Sequence, residues 1–551
     1  MNSSAPATSS PNEPVTTHTH WLGPGPVRAE LYGPDRLHAL AREIAAASAT
    51  SKPKTGTPLL SRFAENADEL NAAQEELNRL AARRQRLSRE AEWLFDNYHI
   101  IEDALREIRT DLPRGFYDQL PKLAAGPLAG WPRVYWIAVE VVAHTDSALE
   151  EAILAEFLRS YQEVRPLTIG ELWAVPIMLR LVLVENLSRI ARDLRASLRR
   201  NATARAWADE YVKGDGHAPF PIPGFGREGT HEPRRELNPD ERSLVVAVLQ
   251  NLRGSSIGRE RLDEIEGRLR DRGIPVEEAL REERERQSAN QVTVGNCVTS
   301  LRVLSAIDWP RFYEQVSLVE AQLRDDPVGV YARQDFATRD RYRQAVEELA
   351  RGANTDELEV ARQVLDRCRK ASSAASSPAS HESRESHVGY YLIGDGRREF
   401  ERQLRYRPPM RQGFLAGVLR NARLLYFGAI GLITTTLVVG LTWYGFGSSL
   451  RSGWAIAGIV LAVSILPALD IAVGVVNHLV TRFIPPRTLP KLDLSTGIPP
   501  DCPTFVVVPS LLNTADGARR LVERLEIHYL SNPDAALRFA VLTDWADAPT
   551  E

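Results

Sequence analysis

Two long apolar runs, Leu424 to Leu450 and Ser452 to Leu469, most constrain what this chain can fold into. Charged residues make up 25% of its 551 residues, yet between Arg423 and Arg482 only Arg451 and Asp470 are fully charged. Backbone polar groups in hydrocarbon must be satisfied inside their own segment, so such runs predict helices. The stretch from Leu424 to Tyr444 is about twenty residues, which matches roughly 30 Å of hydrocarbon at 1.5 Å per residue. Tyr426, Trp443 and Tyr444 stand where interfacial aromatics are expected. The second run starts near Trp454 and continues past Pro467 to about Val480, more than one crossing requires. It is expected to tilt, to kink at Pro467, or to leave the membrane early. The spans are therefore placed at 424–445 and 454–480.

Orientation follows from the basic residues. Arg411, Arg420 and Arg423 precede the first span and Arg482, Arg487 and Lys491 follow the second, while the short loop between them holds Arg451 alone. The positive-inside rule then puts both outer flanks in the cytoplasm. Asp470 interrupts the second span at a cost on the order of 3 kcal/mol at the bilayer midplane. It either lines a polar path or binds a sugar, or it plays a structural part near the cytoplasmic boundary or within a helix bundle. With only two spans the structural reading is preferred. His478 is assigned to the interface.

Ahead of the spans, from about Ala29 to Cys368, apolar residues recur at helical spacing and almost nothing alternates with period two. A large cytoplasmic all-α domain is expected over 29–369. Leu70, Leu77, Leu80 and Leu87 predict a long amphipathic helix from Leu59 to Leu87, packed on a bundle rather than forming a dimeric coiled coil, since the seam is short. The most distinctive soluble segment runs from Arg165 to Leu187. Thr168 and Glu171 have capping-box spacing and set a helix start. The apolar part, Leu172 to Val184, is too short for a bilayer and contains Arg180, so a buried bundle helix is expected, with Pro176 able to kink it. Further helices are expected over Asp308 to Leu323, Arg339 to Ala350 and Thr355 to Arg367. A Ser/Ala-rich linker or loop, 370–386, and a juxtamembrane segment, 387–423, lead to the first span.

The net charge of −4 gives no argument for nucleic acid as a partner. Cys297, Cys368 and Cys502 are far apart and in no metal-ligand spacing, so reduced thiols are expected. His18, His20, His144 and His381 form no i, i+4 pair and are given structural or solvent roles. Residues 1–28, Ser/Thr/Pro-rich at their start, read as a disordered tail rather than a signal peptide.

After a connector, 481–503, comes Thr504-Phe-Val-Val-Val-Pro509, wholly apolar as a buried parallel strand should be. Asn513 is expected to cap a helix that carries Leu521, Leu525 and Tyr529 on one face and ends at Ser531-Asn-Pro-Asp534. Arg538 to Leu542 returns as a second strand. A βαβ unit places Asp544 at the carboxyl end of that strand, where open α/β sheets bind ligands. On this ground alone a nucleotide-site aspartate and a capping or turn aspartate both remain open.

Four segments carry a family resemblance: Arg165-Pro-Leu-Thr-Ile-Gly-Glu-Leu-Trp-Ala-Val-Pro176, Val328-Gly-Val-Tyr-Ala-Arg-Gln-Asp-Phe-Ala-Thr-Arg-Asp-Arg-Tyr342, His387-Val-Gly-Tyr-Tyr-Leu392 and Pro485-Pro-Arg-Thr-Leu-Pro-Lys491. From about residue 30 onward the chain resembles the N-terminal region of bacterial cyclic β-1,2-glucan synthases. The resemblance implies a multi-pass inner-membrane protein with both ends cytoplasmic and a processive glycosyltransferase that uses UDP-glucose and Mg2+. Under it, Val506 to Leu512 matches the first strand of the nucleotide-binding fold. Asp544 would accept hydrogen bonds from the uridine, with Asp547 the poorer candidate. Residues 504–551 would be the start of the transferase domain, an incomplete α/β unit without the metal-holding carboxylates or the base, so the polypeptide alone is expected not to transfer glucose.

The fold class expected is thus mainly α, with a helical cytoplasmic domain, a transmembrane hairpin and an incomplete βαβ nucleotide-sugar-binding start. Inner-membrane lipid, a catalytic remainder and other glucan synthase chains are the expected partners. Two functions stand: the membrane-anchoring portion of a glucan synthase, or a non-catalytic anchored scaffold that docks on one.

Overall fold

A computed structural model describes residues 23, 25–51, 58–85, 87–213, 220–221, 238–253, 262–271, 276–374, 384–408, 418, 420–447, 454–484, 486 and 488–545. Expectations placed on residues 1–22, on His381 and the middle of the Ser/Ala-rich stretch, on Arg411, Arg451 and Arg487, and on Asp547 lie outside them. The described chain is mainly helical. It forms two compact units, one ending at Leu318 and one beginning at Val319. The boundary between them falls within the helical domain expected over 29–369.

In the first unit the helix Ile169–Lys213 is the axis, with Pro58–Ala82, Tyr98–Asp111, Arg133–His144, Pro239–Arg253 and Val276–Ala306 packed around it. The expected capping box is present. Thr168 N–H donates to Glu171 Oε2 at 3.0 Å and Glu171 N–H donates to Thr168 Oγ1 at 3.2 Å. From Leu172 to Ala191 almost every side chain is buried, as a helix apolar on all sides must be when it is a bundle core. The helix continues through Pro176 without a break.

Its charges are paired. Arg133 forks onto the Glu171 carboxylate and also donates to the Pro166 carbonyl, so the capping residue doubles as a buried ion-pair partner. Arg189 donates to Glu185 and to the carbonyls of Gly23 and Gly25. Asn186 accepts from Val27 N–H at 2.5 Å and donates to its carbonyl. Val27 is buried. Residues 23 and 25–28 are therefore held, and the expectation of a tail disordered to residue 28 is corrected at its end, because these backbone groups find partners on the core helix.

Local chemistry moves several other boundaries. The helix expected to reach Leu87 stops at Ala82, where Arg84 turns left-handed (φ 54°) and the amides of Arg84 and Gln85 bond back to Ala81 and Leu80. The helix expected over Asp308 to Leu323 is two, Trp309–Val316 and Leu318–Leu323, with Ser317 extended between them. Cys297 and Cys368 are buried, and burial pushes both thiols up to about 12.

In the second unit Asp335 caps the helix Phe336–Ala353, accepting from Thr338 N–H at 2.8 Å. Glu357–Ala374 and Val388–Leu392 pack with it, and Arg397–Gln403 packs on Val388–Leu392. The first of these carries helix into the segment expected to be a linker. A buried polar network crosses this unit. Asp326 accepts from the amides of Val330, Tyr331 and Val388 and lies 3.0 Å from His387 Nδ1. Such bonds reach from 320–326 to 343 and 387, which is why the segment after Val319 packs with the helices C-terminal to it. Gly389 has no room for a side chain, since a Cβ there would sit 2.4 Å from Tyr342 Oη.

Two further helices are Ala422–Gly447 and Trp454–Phe483. Within them Ala422–Tyr444 and Leu461–Phe483 are each long and apolar enough to cross a membrane, and both stay largely uncovered. They pack on each other through Ile430, Ala472 and Val476, and Tyr426 Oη donates to Asn477 Oδ1 at 2.9 Å. The second helix passes Pro467 unbroken and outruns Val480 by a turn. Asp470 is exposed on it, and its side chain makes no hydrogen bond or ion pair among the described residues.

Candidate functional site

The second unit ends in the expected βαβ unit, although its first strand, expected to be buried, is largely exposed. Strand Thr504–Leu512 pairs in parallel with Leu537–Trp545, joined by the helix Ala515–Ser531. Thr514, not Asn513, is the cap. Its hydroxyl accepts from Gly517 N–H at 3.1 Å, because the helix begins one residue later than the sequence suggested. On the expected helix face Leu521 and Leu525 are half-buried and Tyr529 is exposed, its ring edge-on to Phe539.

Asp544 stands opposite Leu511, one residue before the end of its strand, and is exposed. An exposed carboxylate at the carboxyl end of a parallel strand can accept hydrogen bonds from a ligand's N–H or O–H groups. Asp547, the second residue named from sequence, lies outside the described residues. Among the described residues no three His, Cys, Asp or Glu side chains gather into a metal-binding group.

The unit's entry is fastened at two places. Asp534 accepts from Ile498 N–H at 2.7 Å and from Ala536 N–H at 2.8 Å, and these amide donors hold its carboxyl below the usual range. Upstream, the chain leaving the second apolar helix is laid along the start of the helix Phe336–Ala353. Asp335 N–H donates to the Lys491 carbonyl at 3.0 Å, Lys491 N–H to Thr338 Oγ1 at 3.0 Å, and Asp493 N–H to the Arg333 carbonyl at 2.8 Å. Gln334 and Leu492 form an antiparallel bridge, and Arg341 donates to Thr488. A segment before the apolar pair is thus joined to a segment after it. Sequence reasoning missed this strap, although its partners lie inside the motif Val328 to Tyr342 and in, or directly after, the motif Pro485 to Lys491.

The fold is therefore that of a mainly helical protein with two membrane-length helices and a small parallel sheet after them. No family model matches the chain. It is 35% identical over 463 residues to the cyclic beta-(1,2)-glucan synthase NdvB of Rhizobium meliloti (strain 1021), an alignment that takes in 84% of this chain and 16% of that protein. The chain is a homologue of the N-terminal region of that synthase, the family its motifs resemble. It spans about one sixth of its relative's length.

Proposed function

We propose that this chain is the membrane-anchoring portion of a glucosyltransferase that makes cyclic β-1,2-glucan from UDP-glucose at the cytoplasmic face of the inner membrane. The observation that carries this is the parallel βαβ unit with Asp544 at its carboxyl edge, strapped to helices on the other side of the apolar pair, in a homologue of a cyclic glucan synthase. Asp544 accepts hydrogen bonds from the uridine of the donor, and Asp547 is the second candidate. Mg2+ would neutralise the donor diphosphate; the described residues supply no metal-binding cluster for it, and no step here depends on it.

In membranes from cells carrying the intact gene, Asp544→Asn is expected to lower incorporation of labelled glucose from UDP-glucose about 10- to 100-fold, the loss of a hydrogen bond to a charged acceptor. Protein level in the membrane should be unchanged. Full incorporation by the variant would remove Asp544 from the site.

The strap between Gln334 and Leu492 supports one side for both flanks, since the two apolar helices lie between them. Reporters fused after residues 410 and 495 are expected to read cytoplasm, and one after residue 449 periplasm. A periplasmic signal at 495 would remove the donor site from the compartment that holds UDP-glucose.

A further inference from the structure

The first unit holds a cleft of about 680 Å³ that the proposed chemistry does not use. It lies along one face of the long core helix, where Trp173, Pro176, Ile177 and Arg180 follow one another at helical spacing. Trp309 and Phe116 are among the other walls, with Glu107 and Asp111 adding carboxylates. Its volume is in the range of small-molecule sites, roughly 300–1,000 Å³.

Trp173, Trp309 and Arg180 are fixed in place. Trp173 is stacked on Tyr313, with centroids 5.0 Å apart and planes 14° from parallel. Trp309 is anchored by its indole N–H, which donates to the Leu304 carbonyl at 2.9 Å, and by an edge contact with Phe312. Arg180 is buried, with Nε 2.7 Å from Glu107 Oε2 and Nη2 donating to the Leu304 carbonyl at 3.2 Å. Burial pulls its pKa down while Glu107 and Asp111 oppose the shift. A site whose aromatic plates and charged groups are already positioned loses little freedom when a ligand enters.

This lining selects a ligand class. Aromatic plates beside carboxylates and a guanidinium suit a molecule with apolar C–H faces and hydroxyl edges, which is a saccharide. Glu107 neutralises Arg180, so Asp111 leaves the cleft with net negative charge. Anionic ligands, including phosphosugars and nucleotide sugars, are thereby disfavoured.

We infer that this cleft binds a neutral β-linked glucose oligosaccharide, with the sugar faces on Trp309 and Trp173 and hydroxyls bonded to Asp111, Glu107 and Arg180. The choice of β-linked glucose rests on the glucan synthase reading above; the choice of a neutral saccharide rests on the cleft itself. The site is a holding subsite for product rather than for donor.

The test is a titration of the full chain in detergent with a β-1,2-linked glucose tetramer, followed by tryptophan fluorescence and by saturation transfer to the sugar protons. Saturable binding is expected, with UDP-glucose failing to compete. Trp309→Ala should weaken it at least about ten-fold, and Asp111→Asn, at an exposed rim position, about three-fold or more. If Trp309→Ala fails to fold, the Asp111→Asn titration decides alone. No saturation up to about 10 mM sugar, or affinity unchanged in both folded variants, would overturn the site. Equal affinity for an α-1,4-linked glucose tetramer would overturn the β-glucan assignment. The titration involves no turnover, so a null result here leaves the labelled-glucose experiment standing, and a null result there leaves the titration readable.

Discussion

Replacing Glu320 by alanine is expected to destabilise the second unit by about 3–5 kcal/mol, the cost of removing one partner of a buried ion pair. Glu320 and Arg343 are both fully buried, with Arg343 Nη1 donating to Glu320 Oε2 at 2.7 Å. The same carboxylate accepts the Tyr331 hydroxyl at 2.6 Å and Arg324 Nε at 2.8 Å. Tyr331 is held un-ionised, its pKa pushed up by burial and by the Glu320 charge. Without the carboxylate, the Arg343 cation keeps Asp340 at 3.3 Å and the Phe336 ring at 4.8 Å as compensation. That pairing is weaker than the one lost, and Tyr331 loses the acceptor of its hydroxyl. Urea unfolding of the variant should show the loss, and proteolysis should reach the strap over 488–493 first, because that strap rests on Arg333, Gln334 and the start of the helix Phe336–Ala353. Glu320→Gln, which retains a neutral acceptor, should fall between the two. An alanine variant within about 1 kcal/mol of the parent would show that the pair contributes little.

The Glu185→Ala replacement is expected to cost the first unit about 3 kcal/mol, the lower end of the same range, because Arg62 retains some solvent while Arg189 does not. Glu185 is paired with Arg62 and Arg189 and accepts from Asn66 at 2.6 Å. Burial by itself would raise its pKa, but Arg62, Arg189 and Asn66 outweigh burial and hold it at about 2. A depressed folded-state pKa means that the unfolded chain binds the proton more tightly. The stabilisation is therefore complete above the unfolded value, about 4.5, and is lost as the pH falls toward 2. The gap in stability between parent and Glu185→Ala should be full at pH 7 and narrow across that window. A gap independent of pH between 7 and 3 would place the effect in packing rather than charge.

How far the chain could be read from its residues depended on the range of the interaction. The capping box at Thr168 and Glu171 was legible because both partners lie within one turn. So were the βαβ order and the two membrane-length helices, which arise from runs of apolar residues. The halt at Ala82 was not, since Arg84 offers no glycine to announce a left-handed turn. Asn513 and Thr514 are both good caps, and only the packed helix chooses between them. The strap was beyond reach for a different reason: Asp335 and Lys491 are brought together through backbone groups that every residue possesses.

The residues by themselves determined the helical class, the hairpin, the strand order that leaves Asp544 at an edge and the family, because periodicity and apolar length act locally and survive in any context. The tertiary structure alone decided where one unit ends and the next begins, which buried charges are paired, and that Trp173, Arg180, Glu107 and Trp309 share one cleft. Those facts depend on contacts between residues far apart in sequence, and their energies come from desolvation and close packing that exist only once the chain has folded.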